Sequence, residues 1–180
     1  MFNVKYVITA NENQLQTLVN EERLGPAWFV NSSLEVPDAN AEIQALIQLN
    51  GKELAVIQKS EGNFIDLQNI GRDSLASIEL TDYSPERLIY KSKNSQNGLA
   101  VFSEAYYPHG WKATIDGKEV PIAKVNYALR GLKVPAGEHE IIFSFEPEVV
   151  ATGNTVMLAS NILLALLILG SVFLWIRKSK

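Results

Sequence analysis

The chain has no cysteine, and its 180 residues include only two histidines and two methionines. The missing thiols exclude disulfides, thiolate nucleophiles and cysteine-ligated metal, and His109 and His139 alone do not make an ordinary zinc site. No metal or other cofactor is expected. A basic cluster is missing as well: the net charge is −4 and the 16 Lys and Arg residues are scattered, so a nucleic-acid partner is not expected. The N-terminal segment from Met1 to Thr9 has no basic n-region, no apolar stretch of signal length and no small-residue cleavage site.

What is present is a long apolar run. From Val156 to Ile176 there is no charged residue, and Arg177, Lys178 and Lys180 follow at once. About twenty apolar residues span a ~30 Å hydrocarbon core. Thirteen of them are Leu, Ile, Val or Phe, which favours insertion by about 4 to 8 kcal/mol before Ser160, Asn161 and Ser171 are discounted. The stretch is therefore expected to be a transmembrane helix with the lipid bilayer as its solvent. Between Val134 and Thr155 there is no Lys or Arg, while Glu138, Glu140, Glu146 and Glu148 occur. Basic residues collect on cytoplasmic flanks, so everything before the helix is expected outside the cytoplasm and the C-terminus inside. With no export signal in Met1–Thr9, the expectation is a piece of a polytopic protein whose upstream membrane helices deliver this region; a tail-anchored cytoplasmic protein is the alternative.

The expected organisation is an extracytoplasmic domain over 1–150, a junction over 151–155, the span over 156–176 and a cytoplasmic tail over 177–180. The first part is long enough for one core. Its second half reads as successive strands. Trp111, Ala113 and Ile115 alternate with polar residues, and Asp116-Gly117 suits a two-residue hairpin turn with positive φ at both positions. A return strand is expected through Val120 and Ile122 to Val125. Leu129–Val134 is another, then a turn at Pro135-Ala136-Gly137 and a strand with Ile141, Phe143 and Phe145 on one face. Shorter β-like runs lie at Ser77–Thr81, Leu88–Lys91 and Leu99–Ser103. The first third offers strand candidates at Val4–Ile8, Ala27–Asn31 and Ala55–Gln58. A helix is expected over Ala39–Asn50, capped by Asp38, with an Ile43, Leu46, Ile47 stripe and Gly51 at its C-terminal cap. The fold class is mainly β: an antiparallel β-sandwich, jelly-roll-like, with one short helix and one C-terminal transmembrane helix.

Chemistry-bearing residues concentrate in Glu104-Ala105-Tyr106-Tyr107-Pro108-His109-Gly110-Trp111. Exposed aromatic rings stack on the apolar faces of sugars while carboxylates take the hydroxyls, which makes Tyr106, Tyr107, Glu104 and His109 candidate glycan contacts. The alternative is that Tyr106, Tyr107 and Trp111 plug one end of the core. Glu104 and Asp116 as a hydrolase pair have little support, since Asp116 is needed in the turn. His109 reads as a solvent-exposed loop residue, and Lys112 and Arg130 as residues of solvated strand faces. Asn161 could bond a neighbouring membrane helix.

The run Leu99 to Trp111, then Ile115-Asp116-Gly117-Lys118, Pro135-Ala136-Gly137-Glu138-His139 and the closing apolar helix, resembles the C-terminal end of YfhO-family bacterial membrane proteins. Asn3-Val4-Lys5-Tyr6 and Ala27-Trp28-Phe29-Val30 resemble further landmarks of that region. The resemblance implies a parent similar to the GT-C glycosyltransferases, multi-spanning enzymes that take sugar from a polyprenyl-phosphate carrier and act outside the cytoplasm, here on cell-envelope polymers. It implies no catalytic residue in this chain, because the catalytic acid of that class lies in an early loop with no counterpart here. Upstream membrane helices and an envelope glycan or polyprenyl-linked sugar are the implied partners. Two other readings stand beside it: a membrane-anchored carbohydrate-binding or adhesion module without enzymatic activity, and a structural cap on a membrane assembly.

Overall fold

The computed structural model describes residues 3–11, 14–62, 70–71 and 73–178. The chain divides into two compact units, Met1–Phe145 and Glu146–Lys180. The first is a sandwich of antiparallel strands, as the sequence predicts. Its elements are β1 (Tyr6–Asn11), β2 (Gln14–Val19), β3 (Ala27–Val30), β4 (Ser32–Val36), α1 (Ala39–Gln48), β5 (Leu54–Gln58), α2 (Lys59–Gly62), β6 (Ser77–Ser84), β7 (Arg87–Asn94), β8 (Gly98–Ala105), β9 (Trp111–Ile115), β10 (Lys118–Val120), β11 (Ala123–Val125), β12 (Leu129–Val134) and β13 (Gly137–Phe145). One sheet runs β10-β9-β13-β7-β6 and the other β11-β12-β8-β3, with every neighbouring pair antiparallel.

Strand alternation builds the core between these sheets. Tyr90 and Phe143 from the first sheet meet Phe102 from the second, with ring centroids 4.8 to 6.0 Å apart and all three pairs edge to face, the arrangement that matches positive ring edges to negative faces. Leu88, Ala113, Ile141, Ala100 and Leu132 are among the other members of this cluster. On β8 the intervening residues Leu99 and Val101 point the other way and join a second cluster with Trp28, Val30, Val125, Leu129 and the β5 residues Ala55 and Ile57. The four-stranded sheet is thus covered on both faces, which explains the unbroken apolar run Leu99-Ala100-Val101-Phe102.

Several local expectations are corrected. The segment Val120–Val125 is not one strand: it breaks at Pro121-Ile122, where proline has no N–H for a ladder, and β10 and β11 belong to different sheets. The Pro135-Ala136-Gly137 turn likewise carries the chain from one sheet to the other instead of joining paired neighbours. In the first third, β4 and β5 pair in parallel across α1, and β1 and β2 form a separate hairpin. Asp38 caps α1 as expected, its Oδ1 accepting the Ala41 N–H at 2.9 Å. The C-terminal glycine cap is not used, because the helix ends at Leu49 in an extended conformation. Nor does the Ile43, Leu46, Ile47 stripe define the buried face: Ile47 is 72 % exposed and Glu42 is fully buried. The surface under α1 presents donors, and a carboxylate satisfies them where leucine could not.

The second unit is one continuous helix, α3 (Glu148–Lys178). It begins earlier than the junction expected over 151–155, because Pro147 suits a helix start and its carbonyl accepts the Val150 N–H at 3.0 Å. The hydroxyls of Ser160 and Ser171 donate to Val156 and Ile168 carbonyls, so these side chains meet their own bonding needs within an apolar stretch. Among the described residues, α3 is the one helix long and apolar enough to cross a membrane. Lys180 of the expected tail lies outside the described residues.

Candidate functional site

The loop from Tyr106 to Gly110 links the second sheet, through β8, to the first, through β9. Gly110 closes it at φ 98°, a region costly for any residue with a Cβ. At its start the Tyr106 N–H donates to the Ala128 carbonyl at 2.7 Å, which fastens the loop to the β11–β12 turn. The rings of Tyr107 and His109 stand edge to face, centroids 5.5 Å apart, and Tyr107 is 52 % exposed. A recess of about 200 Å³ opens beside them, walled by Tyr106, Tyr107, Trp111, Glu119 and Pro121. Of the four candidate contacts, then, Tyr106 and Tyr107 line the recess. Glu104 and His109 are not part of its wall, and Glu119 supplies the carboxylate there instead. A much larger open cleft, about 1050 Å³, lies elsewhere between β3, the 50–53 turn and the start of β6; its walls are mixed acid, base and amide. One of its carboxylates, Asp73, is already held by the Ser95 backbone and hydroxyl and the Leu75 backbone.

Trp111 is half-buried under Arg130, whose guanidinium sits 4.0 Å from the indole centroid; Phe145 tilts against the other part of the indole at 5.2 Å. Arg130 is the largest departure from the sequence reading. It was expected on a solvated face and is only 3 % exposed, because its place on β12 opposite Phe102 turns the side chain into the sandwich, where rings and a carbonyl replace water. Its Nε donates to the Ala105 carbonyl at 3.0 Å. Burial pushes its pKa down, and the Glu104 charge opposes that. Lys112 is exposed, as expected.

Asp116 and Gly117 take φ values of 50° and 78°, the hairpin geometry their sequence predicts. The Asp116 carboxylate also accepts the Glu140 N–H at 2.9 Å and pairs with His139 Nδ1 at 2.6 Å. That pair was not legible, since the partners lie 23 residues apart. The hydrogen bond to Asp116 raises the His139 pKa above 6.5, and the His139 and Glu140 bonds lower that of Asp116 below 3.8. The His139 contribution is complete below about pH 6.5 and is lost as pH rises through its raised folded value. The Asp116 contribution holds above about pH 4 and is lost as pH falls through its lowered value. His139→Gln is therefore expected to destabilise most near pH 5.5 and less near pH 9, measured by urea unfolding across that range; an equal effect at both ends would contradict the pairing. Among the described residues, no group of three His, Asp or Glu side chains is placed to hold a metal ion.

No curated protein and no solved structure matches the chain. Residues 67–157 match the family described as bacterial membrane protein YfhO, a stretch that takes in β6 to β13, the aromatic loop and the start of the apolar helix α3. That match covers half of the chain and agrees with the helix able to enter a bilayer: the protein belongs to the YfhO family of bacterial membrane proteins.

Proposed function

We propose that this chain is the extracytoplasmic β-sandwich and last membrane helix of a polytopic envelope glycosyltransferase using polyprenyl-phosphate sugars. In this reading the domain contacts the glycan acceptor or product and performs no bond-making by itself. The observation that carries the reading is Tyr107, half-exposed at the rim of a recess walled by a second tyrosine, a tryptophan, a proline and a carboxylate. Stacked aromatic faces with a neighbouring acid are the ordinary means of holding a pyranose ring. The charge asymmetry around α3 supports the extracytoplasmic placement, and family membership supports the membrane setting.

Tyr107→Ala in the full-length parent is the test. Its ring makes no core contact, so stability should stay within about 0.5 kcal/mol and the amount of protein in the membrane should be unchanged. Glycosylation of envelope polymer should fall by roughly tenfold, the equivalent of about 1.4 kcal/mol of lost contact. Unchanged glycosylation at unchanged protein level would sink the proposal. Glycan binding that falls in the variant while glycosylation never depended on the parent would favour the anchored carbohydrate-binding module instead.

A further inference from the structure

The β11–β12 turn, Asn126 to Ala128, carries a conformation its sequence does not favour. Asn126 and Tyr127 have φ values of 49° and 70°. Asparagine tolerates that left-handed region, but a bulky residue does not, and glycine adopts it at no steric cost. Tyr127 stands there instead and is 46 % exposed.

The conformation is imposed from several sides. Asn126, only 3 % exposed, exchanges two bonds with β5: its N–H donates to the Val56 carbonyl and its Oδ1 accepts the Val56 N–H, each at 2.8 Å. The buried Glu42 of α1 accepts the Tyr127 N–H on Oε1 at 2.6 Å and the Gln58 side-chain amide on Oε2 at 2.8 Å. Two elements outside the sandwich sheets, α1 and β5, thus hold the backbone of this turn in place and leave the Tyr127 ring exposed. Strained backbone that its surroundings over-determine gathers at binding sites. The turn is also joined to the aromatic loop through the Tyr106 to Ala128 backbone bond.

We propose that Tyr127 is a second sugar-contacting ring, presented by this clamped turn, and that with Tyr107 it engages an extended oligosaccharide rather than a single sugar. The inference rests on the glycan reading of the Tyr107 recess. Two ring platforms, on loops fastened to each other, suit a chain with successive apolar pyranose faces. Glu42 is then a positioning residue: it fixes the turn and touches no sugar.

The test uses the full chain in lipid nanodiscs and two probe series, oligomers of glucose and of N-acetylglucosamine from one to about six units, with affinity and melting temperature measured in parallel. Glycine relieves the strain at position 127, so Tyr127→Gly should melt at the same or a higher temperature. It should bind the longest oligomer about tenfold more weakly and leave the affinity for a single sugar unchanged. Tyr127→Phe should bind like the parent, since the ring face makes the contact. A merely structural tyrosine would leave affinity untouched. If the parent binds the long oligomer, Tyr107→Ala weakens it and Tyr127→Gly does not, the inference is overturned while the glycan reading stands. If the parent binds neither series at any length, the glycan reading fails and takes this inference with it.

Discussion

Phe143→Ala is expected to cost about 3 to 5 kcal/mol, the usual range for deleting a fully buried aromatic ring. Phe143 has no exposed surface and is edge to face with both Phe102 and Tyr90. The Arg130 guanidinium lies 5.3 Å from its ring centroid. Removing the ring leaves a cavity between two sheets that are each pinned by backbone ladders, so little collapse can refill it. Domains of this size have a total stability of about 5 to 15 kcal/mol, and each kcal/mol moves the melting temperature by about 2 to 4 °C. A fall of roughly 10 °C follows. Phe145→Ala is the control: two residues along the same strand face but at its open end, 36 % exposed, it should lose only about 1 kcal/mol. Equal effects from the two variants would contradict the assigned core.

The second large effect is all-or-none. If the sandwich lies outside and Lys178 inside, a cysteine at Lys118, on the exposed hairpin after Gly117, should react fully with a membrane-impermeant maleimide in intact cells. A cysteine at Lys178 should react only after lysis. The chain has no thiol of its own, so neither signal has a background from this protein. The expectation follows from basic residues after the apolar run against none in the twenty before it. The reverse labelling pattern would invert the topology and remove the extracytoplasmic glycan from the proposal.

What the sequence disclosed and what it hid divide along a physical line. Features set by neighbours in the chain were legible: the Asp116-Gly117 turn, the Asp38 cap, the alternation of β9 and β13 and the apolar run of α3. Features set by what lies opposite in space were not. Arg130 looks solvated until β12 is placed beside β8 under Trp111, and an isoleucine stripe on α1 looks like a core face until the donors of Tyr127 and Gln58 call for Glu42. The parallel β4–β5 pair has no local signature, since parallel and antiparallel partners use the same residue types. The same line runs through the candidate site. Tyr106 and Tyr107 are visible as an aromatic pair, whereas Glu119 comes from strand β10 and Tyr127 from the β11–β12 turn.

The double-sided burial of the four-stranded sheet also bears on how the protein can be divided. The stretch that matches the family, residues 67–157, contains β8 and β12 but neither β3, which pairs with β8 and sets Trp28 and Val30 beside Val101 and Leu99, nor β5, whose Ala55 and Ile57 pack on the outer face with Leu99, Val101 and Leu129. Expressed by itself, that stretch would have a bare apolar sheet face and an unpaired β8 edge, the condition under which strands associate with other copies. Residues 67–157 are therefore not expected to fold by themselves. Their central strand cannot be sealed until the chain before it is in place, and in the intact protein the amides of Leu99 to Phe102 should be among the last to exchange with solvent.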